Sequence, residues 1–205
     1  MCPQTRCFFA TEWNSRGANA VTQRGAENEP SSPAMEMLLA MRMALVHLRH
    51  PSVTASLFFM CDFRPRNPFS MFVPDGEGGY GPVPTAAAVR WLNEAANGGG
   101  SFQRMVRMGA RPVAGEGVKP QSYLAVEGGL FRSKGRATLI LENGSADVFS
   151  LDPATLMPER RLSTIEFISM PDLDRTDKLP AGIEHQDPAG SALITPFSVT
   201  RVVWE

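Results

Sequence analysis

The chain has 205 residues, 43% of them hydrophobic, which is enough for one domain with a real core and too apolar for wholesale disorder. Its 20 basic and 21 acidic residues leave a formal charge of -1, so nothing draws it as a whole toward nucleic acid or an anionic membrane. Cys2, Cys7 and Cys61 lack paired spacing, which argues against a disulfide framework or a zinc site and for a reducing, intracellular setting.

The first residues, MCPQTRCFF, contain no apolar run of the secretory kind, so neither export nor membrane insertion is expected. Cys7 to Trp13 reads as a short first strand, and residues 14–33, with Gly17, Gly25, Pro30 and Pro33, as a long irregular loop. Ser31 or Ser32 is placed to cap a helix over Ala34 to His50, with Pro33 in its first turn. That helix is apolar almost all round. Met35, Leu38, Leu39, Met43 and Val46 leave a narrow polar stripe at Arg42 and Arg49, so protein should cover most of it. It is too short to span a bilayer and carries Glu36 and Arg42.

Pro51 ends the helix, and Ser52 to Phe63 reads as a buried strand. Residues 64–84 form a second long irregular loop, rich in proline and glycine, with a brief extended piece at Phe69 to Val73. Thr85 is expected to cap a second helix, AAAVRWLNEAA, which stops at Asn97 and Gly98; a short third helix is predicted over Phe102 to Met108. From Gln121 the apolar period becomes two, in SYLAVE, RATLILE, ADVFSL, LSTIEFISM and SALITPFSVTRVVW. Asn143-Gly144-Ser145, between two of these runs, predicts a hairpin, because Asn-Gly readily takes positive φ. The fold expected is α+β in a single domain, 1–205. Its N-terminal half holds two or three helices around a buried strand, and its C-terminal half is an antiparallel β-sheet or sandwich.

Motifs with chemical meaning are few. Gly76 to Gly81 (GEGGYG) matches the phosphate-cradling G-x-G-x-x-G, but Pro82 and Pro84 separate it from the following helix, and a surface loop is the expectation. Asp172, Asp174, Thr176 and Asp177 open like a calcium loop, yet Asp177 stands where glycine is needed and Ile183 where the closing carboxylate should be. Cys61 with His47, His50 and Asp62 has the types of a thiol nucleophile site; its place inside LFFMCDF makes burial and inertness the expectation. The pairs Met35/Met37 and Met41/Met43, each at two-residue spacing, cannot share a soft metal and read as packing. No metal and no cofactor are expected.

Cys2 would become N-terminal if Met1 were removed, and an α-amine beside a thiol is the nucleophile-and-base pair of N-terminal-nucleophile hydrolases. Arg90, Arg104, Arg107 and Arg111 form a candidate basic face for phosphate or a carboxylate-bearing partner; with only Phe102 and Trp91 as interleaved aromatics, nucleic acid is not favoured. Three segments, Gly99 to Arg111, Tyr123 to Lys134 and Ala192 to Thr200, resemble in order landmarks of picorna-like virus capsid proteins, which would imply a structural jelly roll. With no recognised catalytic constellation, the leading expectation is a non-enzymatic structural or protein-interaction subunit of a larger assembly, such as a viral capsid or projection domain. It would work with a protein partner or as a homo-oligomer. The alternatives are a hydrolase using Cys2 and an arginine-based anion or RNA binder.

Overall fold

The computed structural model describes residues 8–13, 32–50, 53–58, 70–97, 101–113, 121–173 and 175–205. The chain packs as two compact units, one of Met1–Arg90 with Asp172–Gly182 and one of Trp91–Pro171 with Ile183–Glu205.

In the first unit, β1 (Phe8–Trp13) and β2 (Val53–Phe58) pair in parallel, Phe9 opposite Ala55 and Trp13 opposite Phe58. Parallel strands cannot be joined by a tight turn, so the chain crosses over through a helix. That helix, α1 (Pro33–Arg49), lies against β2. The expected cluster of helices around one strand is therefore a β-α-β unit instead, and the pairing of its strands was not visible in either strand alone.

Ser32 is the N-cap of α1 and Pro33 its first residue, but the serine side chain makes no capping bond; the fixed φ of proline starts the helix. Ala34, Met37, Leu38, Ala40, Met41, Ala44 and Leu45 are buried, whereas Val46 and Leu48 are 51% and 38% exposed. Cover is thus greater over the N-terminal turns than at the C-terminal one. There Arg49 Nε donates to the Leu45 carbonyl at 3.1 Å, as a cation at a helix C-terminus should.

Within the proline- and glycine-laden stretch the chain forms a small antiparallel hairpin, β3 (Phe72–Pro74) with β4 (Tyr80–Pro82). Asp75 shapes its tip: Oδ1 accepts from the backbone N–H of Glu77 and of Gly79, each at 2.9 Å. Helix α2 (Pro84–Ala96) follows. It begins at Pro84, so Thr85 lies in its first turn instead of capping it, and Thr85 Oγ1 is buried without a partner among the described residues.

The second unit is built on a six-stranded antiparallel sheet of order β10-β9-β12-β7-β6-β5. The strands are β5 (Ser101–Val113), β6 (Gln121–Ser133), β7 (Arg136–Asn143), β9 (Leu162–Ser169), β10 (Glu184–Gln186) and β12 (Ser198–Trp204). The helix expected over Phe102 to Met108 is part of β5. Pairing with β6 from Ser101 opposite Arg132 to Val113 opposite Gln121 outweighs the local helical spacing. A second, two-stranded sheet joins β8 (Phe149–Leu151) to β11 (Ala192–Ile194), with a single turn of helix, α3 (Pro153–Leu156), between β8 and β9.

The tight hairpin of the sheet joins β6 to β7 at Lys134-Gly135, where Gly135 takes φ +86°. Asn143-Gly144, the predicted turn, takes no positive φ, and β8 pairs with β11 and not with β7. Asn143 serves a different end. Fully buried, it donates through Nδ2 to the carbonyls of Asp147 and Thr195, both at 2.8 Å, and accepts from Ser145 N at 3.0 Å and Oγ at 2.8 Å. The amide thus leads the chain out of the large sheet toward the small one. One core cluster unites Leu139, Leu141, Ile165, Val202 and Trp204 with Met157, Ala192 and Ile194, so the small sheet and α3 share a core with the large sheet.

Candidate active site

In a β-α-β unit the carboxyl ends of the parallel strands and the N-terminus of the crossover helix share an edge, and open parallel sheets bind their ligands there. The sequence of β1 is FFATEW, which sets Glu12 next to last at that edge. The sequence of β2 is VTASLF, with no ionisable residue. Glu12 is the one acidic residue within the described spans of the two strands. Its signal in the sequence was an acidic residue closing a short apolar strand. That signal gains meaning only once the strand is known to be parallel to β2.

On the helix side of the same edge lies the first turn of α1, which contains Glu36. Its carboxylate Oε2 meets Lys178 Nζ at 2.9 Å, and the two side chains are 5% and 6% exposed. Lys178 Nζ also donates to the carbonyl of Ser70 at 3.4 Å. Two charges taken this far out of water persist only where they meet directly and find further polar partners. Glu36 had stood in the sequence as an interruption of an apolar helix, but its cation is 142 positions away in sequence, beyond the reach of any local pattern.

The loop holding Lys178 was the stretch with calcium-like spacing. Asp177 there accepts from Arg175, Nε to Oδ1 at 2.7 Å and Nη2 to Oδ2 at 2.8 Å; the hydrogen bond from this guanidinium, more than charge alone, holds the Asp177 carboxyl below the usual carboxylate range. Asp174 lies outside the described residues, and among those described no group of three His, Cys, Asp or Glu is gathered as a metal would require. The glycine motif forms the tip and second strand of the β3–β4 hairpin, with Gly76 and Gly78 at φ +84° and +92°.

Cys2, Cys61 and Asp62 lie outside the described residues. His50 is the C-cap of α1, its N–H donating to the His47 carbonyl at 3.1 Å. Met37 and Met41 are fully buried, as packing residues should be. Of the four arginines expected to share a basic face, Arg90 is exposed on α2 and the other three lie on β5. Arg104 stands opposite Gly129 and Arg111 opposite Tyr123, while Arg107 sits in the register shift between Val106 and Met108.

The second unit has its own charged cluster, centred on Arg201 of β12. Its Nε donates to Glu166 Oε2 at 2.7 Å and its Nη1 to Glu94 Oε2 at 2.6 Å, and the guanidinium lies 4.7 Å from the centroid of the buried Trp91 ring. His185 Nδ1 is 3.9 Å from the other oxygen of Glu166. Two carboxylates share the guanidinium, so the cluster reads as the fastening of Glu94 to the sheet.

No protein-family model matches the chain, and no curated protein matches it. Solved structures do. A family 51 α-L-arabinofuranosidase from Bifidobacterium longum aligns with a TM-score of 0.62 at 13% identity, over 95% of this chain and 41% of that one. A thermostable family 51 α-L-arabinofuranosidase from Thermotoga petrophila gives 0.59 at 14% identity, over 95% and 42%. The α-L-arabinofuranosidase of Thermotoga maritima, in its arabinose complex, gives 0.53 at 13%, over 94% and 42%. The fold is glycoside-hydrolase-like. The chain spans about two fifths of the length of these enzymes.

This likeness overturns the expectation of a non-enzymatic structural subunit, virion or otherwise. A jelly roll is a pair of antiparallel sheets, with no place for the parallel β1–α1–β2 unit. The capsid-like segments also fall differently: the first ends in β5, the second lies mostly in β6, and the third runs from β11 into β12, which belong to different sheets. Among the described residues, no helix is long and apolar enough to cross a membrane.

Proposed function

We propose that the chain is a glycoside-hydrolase portion directed at α-L-arabinofuranosides, with Glu12 as the carboxylate that meets the sugar. The observation that carries this reading is the placement of Glu12 at the carboxyl edge of a parallel strand pair, in a fold matched along almost its whole length by arabinofuranosidases. Ligands of parallel sheets gather at that edge, and glycoside hydrolysis is carboxylate chemistry. One carboxyl group protonates the leaving oxygen while another acts as nucleophile or activates water; their separation is about 5–5.5 Å in retaining enzymes and about 6.5–9.5 Å in inverting ones. Since β1 and β2 bring Glu12 alone, the second carboxyl group comes from outside these strands, from elsewhere in the polypeptide or from an associated one.

The test measures release of 4-nitrophenolate from 4-nitrophenyl α-L-arabinofuranoside, alongside saturation-transfer NMR with methyl α-L-arabinofuranoside. The expected result is binding and turnover by the wild type, with turnover lowered by about 10³-fold or more in Glu12→Gln. A folded wild type that neither binds the furanoside nor cleaves it would overturn the reading.

A further inference from the structure

The segment Asp172–Gly182 belongs to the connection between β9 and β10, yet it packs as part of the first unit. It is fastened there three times over. Lys178 pairs with Glu36 in the first turn of α1 and also reaches the Ser70 carbonyl, just before the β3–β4 hairpin. The Ala181 N–H donates to the Pro82 carbonyl at 2.7 Å. Pro180 presses on Gly81 so closely that a Cβ built on that glycine would stand 2.8 Å from the proline Cβ, a spacing only glycine allows.

The fastenings differ in kind. The backbone bond and the proline contact attach the segment to the hairpin, whereas the ion pair attaches it to the helix. Lys178 is therefore a point at which helix and hairpin are tied. Without its ammonium the buried Glu36 carboxylate would lose the cation it meets at 2.9 Å, and the first turn of α1 would lose its ionic tie to the segment. That turn lies at the same edge as Glu12.

We infer that Asp172–Gly182 is a strap clasping the first turn of α1 and that Lys178 is a positioning residue for the sugar-binding edge of β1 and β2. The positioning role rests on the arabinofuranoside reading; the clasp does not. Lys178 touches no reacting atom, so it sets where the edge stands and leaves the chemistry to Glu12.

The experiment combines hydrogen–deuterium exchange with steady-state kinetics on the full chain. In Lys178→Met, amides of 172–182 and of the first turns of α1 should exchange about tenfold faster or more. The double variant Glu36→Gln with Lys178→Met removes both charges of the pair and keeps the test available if the single variant does not fold. It should loosen the same two regions, and the swapped pair, Glu36→Lys with Lys178→Glu, should restore protection. Wild-type exchange in the double variant would overturn the clasp. With 4-nitrophenyl α-L-arabinofuranoside, the loosened variants should raise KM about tenfold while kcat stays within about twofold, and Lys178→Arg should return KM toward the wild type. A loosened strap with unchanged KM, or a loss confined to kcat, would overturn the positioning role. A wild type inert toward the furanoside would remove the functional reading and the positioning role with it, while the exchange result would still decide the clasp.

Discussion

The two units confine charge in opposite ways. In the first, Glu36 and Lys178 are both almost wholly shut from water and meet directly at 2.9 Å. In the second, Arg201 is shared by Glu166 and Glu94, and the Glu94 side chain is 47% exposed, so water and a second carboxylate are at hand if one partner is lost. A closed pair binds remote segments tightly and fails badly when halved; an open network loses a member with little effect.

Substitutions can break this comparison, and urea unfolding measures them. Glu36→Ala should have a large effect, about 3–5 kcal/mol, because it takes from the buried Lys178 ammonium the carboxylate it meets at 2.9 Å. Trp204→Ala should match it at about 3–5 kcal/mol, since the indole is wholly buried in the main cluster of the second unit. The indole Nε1 has no partner among the described residues, so Trp204→Phe should cost much less than the alanine change. A Trp204→Phe variant as damaged as Trp204→Ala would mean that the nitrogen matters after all.

Asn143→Ala should cost about 2–3 kcal/mol, because it removes a fully buried amide that donates to the carbonyls of Asp147 and Thr195 and accepts from the N–H of Ser145. In the open network, Glu94→Gln should cost less than about 1 kcal/mol after allowing for solvent screening. A Glu94→Gln loss as large as that of Glu36→Ala would erase the contrast between the units.

The smallest effect expected is one of pH. Hydrogen bonds from Glu77 N–H, and then from Gly79 N–H, hold the Asp75 carboxyl below its ordinary value of 3.8. A carboxyl whose folded pKa is depressed stabilises the fold fully above the unfolded pKa and ceases to do so as pH falls through the folded one. Asp75→Asn should therefore flatten the acid limb of a Tm-against-pH curve below that ordinary value. An unchanged acid limb would show that the hairpin tip contributes nothing there.

The sequence made legible what local pattern controls. The apolar run and Pro33 and Pro51 placed α1 to within a residue, and period-two alternation marked the strands after Gln121. It was silent or misleading wherever a distant segment decides. The seven residues Phe102 to Met108 have the spacing of a helix, yet β6 claims them as a strand. Asn143-Gly144 has the chemistry of a turn, yet the carbonyls of Asp147 and Thr195 engage the amide and carry the chain elsewhere. Part of the candidate site was in view as residues, since Glu36 was noticed as a charge in an apolar helix. Neither Lys178 as its partner nor Glu12 at a shared edge could be read without the crossover that brings strand ends and helix start together.

The most direct test of the central claim is the rate of 4-nitrophenolate release from 4-nitrophenyl α-L-arabinofuranoside by wild type and Glu12→Gln, both confirmed folded. Turnover should need the Glu12 carboxylate and fall by about 10³-fold or more without it. Equal rates in the two proteins would contradict it.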